Sequence, residues 1–227
     1  MSGERTLAKA ACQKWKSWLN RCGANSYLPR MTQAQLRPLS HEEIVAVAIE
    51  QAAQAGLDGL SIGNLAKSVG LSKSGLFGHF GSKQGLQTEV LNACHSRFIE
   101  RVVQPAVAHK RPLARLRALL ENWLDWAGQS DGGCLFVATA TEFDDRPGPV
   151  RDQVRAASSN WVATLERAVS LAVEHGDLAP ETSPRQFAFE LHGLMLSYHC
   201  RKRLIESDQA ASMAKAAFTR LLKSYGA

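Results

Sequence analysis

The sequence predicts an all-α fold in two parts, a three-helix unit over residues 39–86 and a larger helical unit over residues 87–227. Three observations predict it. No stretch alternates apolar and polar side chains at the period of a strand, while apolar residues recur at helical spacing along most of the chain. Serines stand one residue before several of those runs, where a hydroxyl can accept an orphan backbone N–H. Glycines and prolines divide the remainder into segments of ordinary helix length.

The first element opens at Leu39-Ser40-His41-Glu42-Glu43-Ile44, a capping box of Ser40 with Glu43 and a staple of Leu39 with Ile44, and runs to Gly56. Ser61 caps the second helix between the staple residues Leu60 and Leu65, and Ser72 caps the third between Leu71 and Leu76. Ser82 opens the fourth, which the pattern carries from Lys83 to about Val103, stopping before Pro105. Gly70 falls just past the second helix, where a left-handed residue is cheap without a Cβ, and Ala66 sits where the third helix crosses too closely for a large side chain. Two short helices joined by three or four residues form a helix-turn-helix, and such a pair buries too little surface to be an end in itself. Its usual purpose is to present the second helix to DNA.

The larger part reads as helices throughout. Leu113 to Ala127 is closed by Gly128, and a loop at Ser130-Asp131-Gly132-Gly133 leads into Cys134 to about Phe143. After the break at Arg146-Pro147-Gly148-Pro149, a long helix runs from Val150 to His175 and stops at Gly176. Two last helices are expected over Arg185 to about Ile205 and Asp208 to Tyr225.

Apolar residues at 45% and charged residues at 21% are those of an ordinary soluble protein. No apolar run approaches the roughly 20 residues of a membrane span, and the basic start is not followed by the apolar block of a secretory signal. Cys12, Cys22, Cys94, Cys134 and Cys200 are scattered without CxxC spacing, which argues for reduced thiols in a cytoplasm and against a zinc cluster. The net charge of +6 is misleading, because residues 1–30 carry six basic residues against Glu4 alone, leaving a net of only +1 for the rest. Any case for nucleic acid therefore rests on placement rather than bulk charge. The basic extension over residues 1–38 has three readings: an arm for a DNA groove, a membrane-surface helix with Trp15, Trp18 and Leu19 on one face, or upstream sequence included by a start-site choice ahead of Met31.

The capped first helix, the run SIGNLAKSVGLSKSGLFGHFGSKQGL and the long helix after it resemble the DNA-binding domain of tetracycline-repressor-like transcriptional regulators, over residues 39 to about 90. Further on, GGCLFVATATEFDDRPGPVRDQV and FAFELHGLMLSYH are similar to segments of one branch of that family. The resemblance implies that Ser61 and Lys73 face the DNA backbone or groove, that Ser74 and Gly75 begin the recognition helix, and that His79 and Lys83 bind backbone. Lys83 would share a phosphate with the free N–H groups of its helix. Many members carry a tyrosine pair before the histidine, whereas this chain has Phe77 and Gly78, so no hydroxyl is left there. Phe77 can pack on a thymine methyl or on the domain core, and Gly75 and Gly78 each cost roughly 1 kcal/mol relative to alanine in a helix.

The resemblance also implies a homodimer, a small-molecule effector pocket and release from a palindromic double-stranded operator. Phe187, Leu191, Leu194 and Tyr198 on one terminal helix, with Phe218 and Leu221 on the other, are the expected dimer surface; the alternative is that these stripes pack within one subunit. Trp123, Trp126, Phe136, Phe143, Trp161, Met195 and Tyr198 are candidates for the pocket lining, with Glu142 and His192 as its polar groups. No cofactor, metal or membrane partner is expected. An enzyme is disfavoured, because no GxSxG, HExxH, P-loop or dinucleotide pattern occurs and His192 and His199 stand seven apart. The remaining alternative is a helical dimer that binds a small molecule or a protein without recognising an operator.

Overall fold

The computed structural model describes residues 39–129 and 134–227; the basic extension over 1–38, with its three readings, and the loop at 130–133 lie outside the described residues. The order of helices among the described residues is α1 (His41–Ala55), α2 (Ile62–Val69), α3 (Lys73–Phe80), α4 (Lys83–Phe98), α5 (Pro112–Gln129), α6 (Leu135–Phe143), α7 (Pro149–Glu174), α8 (Pro184–Arg203) and α9 (Ala210–Ser224). The four serine caps form as the sequence indicates. Ser40, Ser61, Ser72 and Ser82 accept the backbone N–H of Glu43, Asn64, Gly75 and Gly85 respectively, and the Glu43 carboxylate returns the bond to Ser40 N–H. Gly70 takes the left-handed conformation at φ 72° and ends α2.

Two boundaries differ from expectation. The fourth helix does not stop before Pro105: α4 passes through a π-helical turn at Ile99–Val103 into a short helical segment, Gln104–Val107. A proline cannot donate to the carbonyl four residues back and crowds it. The wider turn, in which Gln104 N–H reaches Ile99 O, admits Pro105 at the start of the last segment. Gly128 does not close α5 either, since the helix runs through it to Gln129. A Cβ there would stand 2.8 Å from the Tyr198 hydroxyl, so this glycine serves the close approach of α8 to α5.

Two apolar cores hold the molecule together. One joins α1 to α4 around Ile44, Leu57, Leu65, Leu76, Leu86 and Leu91, and it takes in Leu135 and Phe143 from α6 and Val150 and Val154 from α7. The other packs α5, α7, α8 and α9 around Leu119, Trp123, Leu165, Phe187, Leu191 and Phe218. α4 belongs to both, contributing Leu86 and Val90 to the first and Phe98 to the second. Among the described residues no helix is long and apolar enough to cross a membrane.

Candidate functional site

α3 is held by two side chains. Leu76 and Phe80, one turn apart, are buried, and every other position of the eight-residue helix is exposed. Lys73, Ser74, Gly75, Phe77, Gly78 and His79 therefore form a continuous outward face. Phe77 is 54% exposed, which rules out its packing in the domain core. The Lys73 stem lies across Gly63 of α2, where a Cβ would stand 3.1 Å from its Cε. Ser61 is half-buried at the start of α2. His79 is exposed, with its Nδ1 3.4 Å from Nδ1 of His41, and His41 in turn bonds Glu89 on α4.

Lys83 is exposed at the first position of α4, but its ammonium is engaged: it donates to the Asp58 carboxylate at 2.9 Å and to the Asp58 main-chain carbonyl. The other oxygen of that carboxylate accepts from Arg146 at 2.8 Å. The two cations hold the Asp58 carboxyl below its ordinary value, Lys83 chiefly. Sequence reasoning missed this triad because Asp58 and Arg146 are 88 residues apart and neither carries a local signal.

Glu142 continues the same joint. Its two oxygens accept the N–H groups of Leu57 and Asp58 at 2.9 and 2.8 Å, while Gln87 donates to Leu57 O at 3.0 Å. The turn between α1 and α2 is thus clamped by a side chain from α6. The expectation that Glu142 would orient a ligand in a pocket is corrected: on α6 it lies on the side facing α1 to α4.

A cavity of about 660 Å³ opens between α4, α6, α7 and α8. Trp123, Phe136, Trp161 and His192 line it as the sequence suggested, joined by Phe98, Ile99, Asp144 and His199, which it did not single out. Five expected residues lie elsewhere. Phe143 is buried in the first core, and Glu142 clamps the turn between α1 and α2. Trp126 packs edge-on against Phe98 at 5.9 Å outside the lining. Tyr198 stacks on Trp123 and donates to Leu124 O at 3.2 Å. A helix lines a cavity with one face only, and residues two apart on α6, such as Ala140 and Glu142, point to opposite sides. Met195, also a candidate, is fully buried outside the lining.

Burial holds the imidazoles of His192 and His199 below their ordinary value, with Arg203 adding to the effect at His199. The buried Cys94 thiol is pushed up to about 12 and that of Cys134 is raised too, both mainly by desolvation, so neither is a reactive thiolate. Among the described residues no group of histidine, cysteine and carboxylate side chains is placed to hold a metal ion.

The expected dimer residues also need correction. Phe187, Leu191, Tyr198, Phe218 and Leu221 are buried within this one subunit, and Leu194 partly so. Their stripes are the contact between α8, α9 and the rest of the second core, where tryptophan and leucine partners of the same subunit cover them in place of a second copy. The apolar residues left outside on these helices are Phe189 (73% exposed), Leu196 and Met213.

Two family models match the chain: bacterial regulatory proteins of the tetR family over residues 44–90, and the tetracyclin repressor-like C-terminal domain over residues 112–218. The chain belongs to the TetR family of bacterial transcriptional regulators. As a TetR-family member it is a DNA-binding transcriptional regulator rather than an enzyme. A TetR regulator from Chloroflexus aurantiacus superposes with a TM-score of 0.69 at 26% identity, covering 80% of this chain and 93% of its own. AibR, solved in complex with isovaleryl coenzyme A and operator DNA, shares the fold with a TM-score of 0.63 at 21% identity over 79% of this chain and 95% of AibR. A TetR-family regulator from Streptomyces coelicolor does so with a TM-score of 0.71 at 16% identity, over 81% and 94%. No curated protein matches the sequence.

Proposed function

We propose that this TetR-family chain is a homodimeric repressor that binds a palindromic operator through α3 and is released by a small molecule bound in the cavity between α4, α6, α7 and α8. The observation that carries the reading is the outward face of α3. A helix anchored only by Leu76 and Phe80 contributes little core, and its exposed Lys73, Ser74, Gly75, Phe77 and His79 suit the shape and charge of a major groove. In this reading Lys83 reaches a phosphate by exchanging Asp58 for it, so Asp58 tunes affinity.

Two copies are needed to place recognition helices in successive grooves about 34–36 Å apart. The surface that supports pairing is the exposed face of α8 and α9, with Phe189 and Met213 beside the small residues Gly193, Ser197, Ala216 and Ala217, which permit close helix approach. The cavity supports the effector role, as does the complex of AibR with isovaleryl coenzyme A and operator DNA. α6 is the supporting route of coupling: Val137, Ala140 and Thr141 line the cavity, and Glu142 grips the turn after α1. A ligand that prefers one position of α6 biases the head by its difference in affinity between the two states. Such a regulator works beside the chromosome, in the cytoplasm.

Selection of genomic fragments by the purified protein tests the reading. Enrichment of an inverted repeat with half-sites about one helical turn apart, bound by two copies, is expected; retention of random duplex with no enriched site overturns it.

A further inference from the structure

Resting on the reading of this cavity as the effector site, we propose that it takes an uncharged, predominantly aromatic molecule rather than an organic anion. The walls supply the first half of the argument. Phe98 stands edge-on to Trp161 at 5.1 Å and to Phe136 at 6.2 Å, and Trp123 adds a further aromatic ring to the lining. Perpendicular rings at these spacings present both faces and edges to an entering ring, the arrangement that aromatic pairs favour. A volume of about 660 Å³ suits a drug-sized molecule.

Charge supplies the second half. Among the described residues no lysine or arginine lines the cavity, and the carboxylate in the lining, Asp144, is at the exposed end of α6. A carboxylate, phosphate or sulfonate drawn between those rings would shed its water and meet no cationic side chain in that lining, since Arg203, which acts on His199, is not part of it. Burial holds the lining imidazoles of His192 and His199 below their ordinary value and so disfavours the charged forms that an anion would need as partners. The polar groups that remain, those of Thr141, Asn160, Thr164 and the imidazoles, can exchange hydrogen bonds with a neutral hydroxyl or carbonyl.

A matched pair of fluorescent probes tests this with the full chain. N-phenylnaphthylamine is uncharged, and anilinonaphthalenesulfonate carries the same rings plus one sulfonate. Titration should show the uncharged probe binding at least about tenfold more tightly than the sulfonate, since only the anion is desolvated without a partner. Ala140→Lys places an ammonium on the wall from an exposed helical position, so the fold is retained, as circular dichroism checks. In that variant the sulfonate should gain and the uncharged probe should lose. Equal affinities, or a preference for the sulfonate in the unaltered chain, overturn the proposal. An Ala140→Lys variant that binds both as before also overturns it, because the probes then lie outside the cavity. Whether N-phenylnaphthylamine releases a selected duplex is measured separately: failure to release it counts against the effector reading and leaves the charge preference standing.

Discussion

α3 and α6 are almost equal in length, eight and nine residues, and are mounted in opposite ways. α3 commits Leu76 and Phe80 to the core and leaves its remaining side chains outside. α6 is engaged on both sides, with Leu135, Phe143 and Glu142 against α1 to α4 and with Phe136, Val137, Ala140 and Thr141 on the cavity. A helix with a single anchoring side can present a surface but cannot relay anything from behind it. A helix gripped on two sides cannot move against one neighbour without moving the other, which makes α6 suited to transmission.

The sharpest way to break this contrast is Leu76→Ala. Leu76 is fully buried, so truncation should cost about 2–5 kcal/mol and detach α3, abolishing duplex binding. Denaturant unfolding with a duplex titration checks it; retained binding would mean that α3 has supports beyond its two anchors. Next in size is Glu142→Gln, which offers one of the two N–H groups of Leu57 and Asp58 an NH2 instead of an oxygen. Loss of a charged hydrogen bond of this kind should cost about 1.5–3 kcal/mol and weaken the response of DNA binding to a cavity ligand, with cavity binding itself unchanged. Unaltered stability together with an unaltered response would remove α6 as the relay. Ser72→Ala should cost about 1 kcal/mol through the N-cap of α3, read as a lower denaturation midpoint.

The same contrast explains how much was legible in the sequence. The head was legible to the residue, because Ser40, Ser61, Ser72 and Ser82 act on N–H groups three positions away and Gly70 on its own backbone. Such signals need no tertiary context. The direction of each face of α6, α8 and α9 did need it. Tyr198, Phe187 and Phe218 have the apolar periodicity of an interface and of a core alike, and burial inside the subunit decided between them. The triad of Asp58, Lys83 and Arg146 was illegible for a further reason: surface ion pairs leave no periodicity at all.

Substitution of the acid in that triad should strengthen DNA binding rather than weaken it. Asp58→Asn removes a negative charge and frees Lys83, so duplex affinity should rise a few-fold at low salt and the salt dependence should steepen by about one phosphate contact. Lys83→Ala should do the reverse on all sequences alike. With its carboxyl held below the ordinary 3.8, Asp58 stabilises the fold above that pH and loses the contribution as pH falls through its lower folded value. Both partners are about half exposed, so the contribution is that of a surface pair and acid unfolding should shift only slightly in Asp58→Asn.

The smallest expected effect bears most directly on what the outward face of α3 is for. Gly78 lies in the middle of that face, at a helical position with no positive φ and no heavy atom within 4 Å of where a Cβ would stand. Judged by folding alone, Gly78→Ala should stabilise the head by up to about 1 kcal/mol, because alanine loses less backbone entropy in a helix than glycine. Among the described residues nothing stands where that methyl group would go, so a loss of binding would report on the approach of DNA. A stabilised variant with unchanged or tighter duplex binding would show that Gly78 is a passive interruption. A stabilised variant that no longer binds the selected duplex would place the α3 backbone against DNA at Gly78, where many family members instead carry a tyrosine hydroxyl.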